Sequence, residues 1–282
     1  HLLNVGAQYS DRVNIASQET LADVVLFGVL GMFIANSKID AAFMAACGPS
    51  DVSSLFNIPM HVSKEIQPGI SVDERGPLAD LADLLANTLQ QTGRRLAEQK
   101  YPDLGGALLH IADAGGSAAE LVTKVARLIE RFDDVEAVQL NDSMFQIPFQ
   151  KNAQRLVADL YHRFRERCDK FAFPDYSSLY AAPSASSVTT LIQLGVLKLK
   201  DAPATPVDAD EAAVDAQLKA TMAELSATPE ACIITRAAAV LAIHRIVESM
   251  EQRVEPFDMS LYCEQYNDSS KPQYVPSVGD KW

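Results

Sequence analysis

The sequence predicts a mainly α protein: a single helical domain with one small β-hairpin. Three observations carry this. Apolar residues recur at three- and four-residue spacing from Gln18 onward, one pair of β-rich segments flanks a turn-forming tripeptide, and no repeat of fixed period divides the chain. The domain is expected to span residues 1–266, with 267–282 as an extended tail.

Taken in order, Leu21, Val24, Val25, Phe27, Leu30, Phe33 and Ile34 cover most of a helix surface, which predicts an element buried on nearly all sides. Its apolar run, Val24 to Ala35, is 12 residues long, short of the roughly 20 needed to cross a bilayer. The next helix, Ile39 to Cys47, stops at Gly48-Pro49. A short one over Asp51 to Phe56 follows, with Ser50 as its expected N-cap, and Pro59 to Gly76 reads as a loop. Pro77 opens a helix whose stripe is Leu78, Leu81, Leu84, Leu85 and Leu89. Ser117 caps another, with Glu120 at the capping-box position and Leu121, Val122, Val125, Leu128 and Ile129 inward. Gly105-Gly106 and Gly115-Gly116 lack the spacing of a phosphate loop and read as turns.

The hairpin is Val135 to Leu140 and Phe145 to Phe149 about Asn141-Asp142-Ser143. Helices over Ala153 to Arg167 and Ser187 to Leu197 come next. Asp201 to Asp210 is a Pro-containing acidic linker, and Glu211 to Leu225 and Pro229 to Gln252 complete the helices.

Charge and chemistry exclude several classes. There are 24 Lys+Arg against 37 Asp+Glu, a net charge of −13, which disfavours nucleic acid and anionic membrane as partners. The four cysteines, Cys47, Cys168, Cys232 and Cys263, are far apart and read as reduced thiols. The five histidines form no metal-ligand spacing, so neither a metal nor a cofactor is expected. No local signature marks a hydrolase nucleophile. The chain begins at His1 rather than Met, which fits removal of an organellar presequence; a mitochondrial location is the expectation, cytoplasm the alternative.

Several segments resemble one family. Phe149-Gln150-Lys151-Asn152-Ala153-Gln154-Arg155-Leu156-Val157-Ala158-Asp159-Leu160 is similar to the F-Y-K-R-A-Q-x-L-V-A-D-x segment of the queuosine salvage proteins, which are queuosine-nucleotide N-glycosidases. Phe173-Pro174-Asp175-Tyr176-Ser177-Ser178-Leu179 and Leu191-Ile192-Gln193-Leu194-Gly195-Val196-Leu197 fit in the same order, as do the Pro77-Leu78 helix start and Arg236. The likeness starts near Leu3-Asn4, without the family's usual N-terminal helices.

The resemblance implies a fold akin to helical DNA glycosylases and a pocket for a 7-deazaguanine nucleotide. It also implies hydrolysis through an oxocarbenium-like ribose, which needs a carboxylate. In gapless register the family's F-A-D-Y-R-L-P-Q motif falls on Ala182-Pro183-Ser184-Ala185-Ser186-Ser187-Val188-Thr189, so its Asp is Ser184 and its Arg is Ser186. A second acidic position becomes Cys263. Lys151, Asp159, Arg236 and Asp258 remain as a remnant of the substrate site.

This pattern points to a catalytically inactive member serving as a subunit of a larger protein assembly. Two alternatives stand beside it. One is an active queuosine 5′-phosphate nucleosidase that has rebuilt its acid from Asp159, Asp175 or Asp258; the other binds a nucleotide without cleaving it. Whether Ser184 and Cys263 line an open pocket, or one filled by Tyr180 and Tyr262, separates these readings.

Overall fold

A computed structural model describes residues 1–3, 5–6, 9–17, 20–35, 38–67, 69–140, 143–198, 228–251 and 254–265. Within them the chain falls into two compact units, His1–Asp113 with Arg127–Arg131, and Ala114–Ala126 with Phe132–Trp282. The fold is mainly α, as the periodicity requires. The linker over 201–210, the helix expected over 211–225 and the tail lie outside the described residues.

The first unit begins with helices α1 (Ser10–Ser17) and α2 (Leu21–Ala35). Helix α2 is not buried all round. Its buried line is Val24, Gly28 and Met32, while Leu26, Phe27, Leu30, Phe33 and Ile34 are exposed. A helix that is apolar on every side gives no sequence signal for which side is covered. The reason for the covered side is the glycines: a Cβ on Gly28 would lie 2.0 Å from the Phe56 ring, and one on Gly31 would lie 3.0 Å from the Leu55 carbonyl. Both contacts are to the fourth helix.

Helix α3 (Ala41–Ala46) is capped by Asp40, whose carboxylate accepts from Phe43 N–H at 2.8 Å. Helix α4 (Pro49–Phe56) starts earlier than Ser50 would allow, with Gly48 at its N-cap position. Pro49 needs no N–H partner at the first position, and the Asp51 carboxylate accepts from Gly48 N–H at 2.8 Å. Pro59 to Gly76 is no loop: β1 (His61–Gln67) and β2 (Ile70–Arg75) pair antiparallel, with every strand residue exposed. Helix α5 (Ala79–Glu98) buries Leu81, Leu85, Leu89 and Leu96. Gly93 lets α3 sit directly on it, since a Cβ there would be 2.3 Å from Ala45 N. Helix α6 (Leu104–Ile111) carries Gly105-Gly106 in its first turn, where Asp103 caps Gly106 N–H at 2.7 Å.

Helix α7 (Ala118–Leu128) begins as expected, its Glu120 N–H donating to Ser117 Oγ at 3.2 Å. In the second unit, β3 (Val135–Leu140) and β4 (Ser143–Pro148) form the expected hairpin, shifted to end one residue before Phe149. Helix α8 (Lys151–Phe164), α9 (Ala185–Gln193), α10 (Pro229–Ser249) and α11 (Pro256–Gln265) follow. Thr228 caps α10 by accepting from Ala231 N–H at 3.2 Å, with Pro229 at the first helical position. Ala181, Val188, Leu191, Ala239, Ile243, Val247, Met259 and Cys263 make one core cluster between α9, α10 and α11. Val138, Phe149 and Ile233 make another, under the hairpin. Among the described residues no helix is long and apolar enough to cross a membrane.

Candidate functional site

The site residues all belong to the second unit and are placed by two junctions. At the first, the chain passes from β4 into α8 through Gln150, whose φ of 45° lies in the left-handed region. Phe149 N–H and Gln150 N–H both donate to the Asp134 carbonyl, at 2.8 and 3.3 Å, which closes the hairpin base and fixes where α8 starts. Lys151 is thereby set at the first helical position.

Arg236 reaches the same place from α10. Its side chain is 1% exposed. It donates to the Asp134 carboxylate at 2.5 and 3.3 Å, and its guanidinium lies 3.9 Å over the Phe149 ring. Arg236 Nε and Gln154 Oε1 are buried with no hydrogen-bond partner among the described residues. On the next turn of α8, Arg155 pairs with Glu264 of α11 at 3.3 Å. Lys151 is half-buried. Desolvation pushes its pKa down; Arg155 and Arg236 push the same way, against Glu264 and Asp134. The result is a recessed cation beside two paired guanidiniums.

The structure thus brings Lys151 and Arg236 together. Asp159 lies two turns along α8, about 12 Å from Lys151 by helical rise, so the two do not pair along the helix. Asp258 belongs to a network sharing no member with the Lys151 cluster. Tyr176 donates to its carboxylate at 2.8 Å, His162 Nε2 is 3.3 Å from the same oxygen, and His162 Nε2 and Tyr176 Oη are 2.7 Å apart. The Tyr161 ring stacks on Tyr176 with centroids 4.1 Å apart. Burial, then the Asp258 bond, pushes the Tyr176 pKa up strongly.

Asp175 is spent on structure. It accepts from Ser117 Oγ at 2.6 Å, Ala118 N–H at 2.8 Å and Ser178 Oγ at 3.2 Å, and so completes the α7 cap. Burial opposes its charge, but these bonds outweigh it and hold the carboxyl below the ordinary range.

The second junction is the seam between α9 and α11, which holds Ser184 and Cys263. Ser184 is the N-cap of α9, 6% exposed. Its Oγ accepts from Ser187 N–H at 3.2 Å, its own N–H donates to Ser187 Oγ at 3.2 Å, and the two hydroxyls are 3.1 Å apart. Ser187 Oγ goes on to the Ser260 carbonyl at 3.3 Å, Ser186 Oγ to the Glu264 carbonyl at 3.1 Å, and Thr190 Oγ1 to the Cys263 carbonyl at 3.0 Å. Three hydroxyls of α9 therefore bond backbone carbonyls of α11.

Cys263 sits inside the core cluster, and burial pushes its thiol pKa up, away from nucleophilic use. Ser184 and Cys263 are both buried, 6 and 4% exposed, whereas Tyr262 is 62% exposed and Tyr180 turns its hydroxyl to the Pro148 carbonyl. Among the described residues no group of three or more His, Cys, Asp and Glu is placed to hold a metal ion.

Sequence alone singled out none of Asp134, Arg155, Glu264, His162 and Tyr176 as a site residue. A model of the queuosine salvage protein family matches residues 39–267. The match starts well after Leu3-Asn4, leaving α1 and α2 outside it. No curated protein matches the chain.

Proposed function

The chain belongs to the queuosine salvage protein family, and on that premise we propose that this queuosine-related, glycosidase-like protein no longer cleaves a nucleotide and serves as an accessory subunit of a larger protein assembly, with the mitochondrion as its proposed home. The observation that carries the first half is the α9–α11 seam. In the gapless register of the resemblance Ser184 takes the place of the family's carboxylate, and it is a buried, neutral helix cap. A hydroxyl cannot supply the negative field an oxocarbenium-like transition state needs, and loss of one such group costs on the order of a thousandfold in rate. Two of the three carboxylates named as replacements are engaged, Asp258 with Tyr176 and His162 and Asp175 with the α7 cap, and so are Asp134 with Arg236 and Glu264 with Arg155.

The assembly half is supported by the β1–β2 hairpin. Val62, Ile66, Ile70 and Val72 are 46, 62, 55 and 44% exposed on it, with the Lys64–Glu74 pair, 3.1 Å apart, among them. An isolated two-stranded ribbon is marginal in water, and apolar side chains left open on one are what a partner surface would complete.

One observation favours a second reading. Lys151 is desolvated beside a buried guanidinium with an unpartnered Nε. Such a place suits an anionic or carbonyl-bearing ligand held without cleavage. Incubation with queuosine 5′-phosphate, followed by chromatography for free queuine, tests the proposal. No release is expected above a blank, and turnover abolished by a single Asp→Asn change refutes it. Calorimetric heat with the same nucleotide, lost in Lys151→Ala, selects the binding reading over the scaffold.

A further inference from the structure

The outer face of α2 is built as a contact surface. Leu26, Phe27, Val29, Leu30, Phe33 and Ile34 are 55, 57, 37, 47, 69 and 83% exposed. At about 100° per residue they fill one arc of about 160°, opposite the Val24, Gly28 and Met32 line. No charged residue lies between Asp23 and Lys38. Asp23 is itself engaged, accepting from the Thr20 hydroxyl at 2.6 Å. The helix also lies outside residues 39–267, the span shared with the family.

We propose that this face is the two-fold interface of a homodimer, in which α2 packs antiparallel on the α2 of a second copy with Leu30 on the axis. The face is its own complement about that residue. Aromatic rings stand three positions to either side, Phe27 and Phe33, and branched aliphatics four positions to either side, Leu26 and Ile34. An antiparallel pair centred on Leu30 brings Phe27 level with the second copy's Phe33 and Leu26 level with its Ile34, each twice. That reciprocity is what a closed two-fold contact demands.

Size and charge agree. Six side chains of about 150–250 Å² each, roughly half exposed, offer about 600 Å² per copy. That exceeds the few hundred Å² most monomers expose and approaches the ~800 Å² per partner of a standard interface. Each copy carries −13, so a seam free of ionisable groups brings no like charges into contact, and added salt tightens the dimer by screening the rest. Antiparallel helix dipoles also attract. A lipid surface fits less well, because interfacial helices carry Lys and Arg on their polar face, and α2 contains neither.

The inference is independent of the catalytic reading. Sedimentation equilibrium of the whole chain from about 1 to 100 µM should show a reversible monomer–dimer equilibrium. Leu30→Glu should weaken it at least about 100-fold, because two carboxylates meet on the axis; an unchanged circular dichroism spectrum shows that the fold survives. Leu30→Lys should do the same, and mixing the two variants should restore dimers, since position 30 faces itself. Leu26→Cys mixed with Ile34→Cys should cross-link under mild oxidation while neither does alone, because like positions 26 lie about 12 Å apart along the axes. A chain that stays monomeric, a dimer indifferent to Leu30→Glu, a charge-swapped mixture that fails to associate, or recovery on neutral lipid vesicles as a monomer overturns the proposal.

Discussion

Removing the Asp134 side chain should destabilise the second unit by about 3 kcal/mol, and the number follows from the two exposures. Arg236 is 1% exposed and Asp134 26%. Breaking a fully buried pair from one side leaves an uncompensated charge and costs about 3–5 kcal/mol. Here the carboxylate that is removed is itself partly exposed, so its loss lets water reach the guanidinium from that side. The Phe149 ring at 3.9 Å also still faces the cation, worth about 1 kcal/mol. Both push Asp134→Ala toward the lower end of the range. Asp134→Asn keeps an acceptor and the shape, and should cost about 1–1.5 kcal/mol. The double change Asp134→Ala with Arg236→Met removes both charges and should cost less than the sum of its parts by about 1–3 kcal/mol. Urea unfolding followed by circular dichroism reads these as midpoint shifts at constant slope. A shift for Asp134→Ala equivalent to less than about 0.5 kcal/mol, or strict additivity of the pair, would mean that Arg236 is not held by Asp134 and is available to a ligand instead.

Gly93→Ala should destabilise the first unit by about 3 kcal/mol or more in the same assay, because the new Cβ meets backbone at 2.3 and 2.7 Å, which has no room to give. Gly69→Ala, at a φ of +82° with open space around it, should cost only about 1 kcal/mol. A thiol reagent applied to native protein should label Cys168 first and leave Cys47, Cys232 and Cys263 unmodified until denaturant is added, since those three are buried; equal rates for all four would contradict this packing. Asp175→Ala should weaken the α7 cap by about 1 kcal/mol at neutral pH. Since hydrogen bonds hold the native Asp175 pKa below its unfolded value near ~3.9, its contribution is complete above that value and is lost as pH falls through the native pKa. The gap between wild type and variant should therefore narrow in acid, and a gap that widens there refutes the assignment.

Where structure is set by neighbours in sequence, the sequence was readable. The α5 leucines and the Ser117 cap carry their own signals within a turn or two. Helix α2 shows the limit of periodicity: with apolar residues on every face, only Gly28 and Gly31, small where α4 comes close, hinted at which side was covered. The β1–β2 hairpin left a weaker signal, Val62 and Ile66 before Pro68-Gly69 with Ile70 and Val72 after it, and Lys64 and Glu65 made the segment look like a loop.

At the site, the resemblance picked out Lys151 and Arg236 but not what surrounds them. Asp134 is 102 positions from Arg236, and Glu264 is 109 from Arg155, so the chain between says nothing of the pairing. Ser184 was singled out for what it replaces. Its present work, capping Ser187 three residues on, was written in the Ser184-x-x-Ser187 spacing.

The β1–β2 hairpin gives the molecule a natural reporter of association. Its ladder hydrogen bonds are shielded by no core, so its amides should exchange with deuterium by local opening at little free energy, long before α5 or α10 releases any. Anything that covers the face of Val62, Ile66, Ile70 and Val72 must slow that exchange, whatever its chemistry. A partner could therefore be recognised by mass spectrometry of one short peptide, before its identity is known.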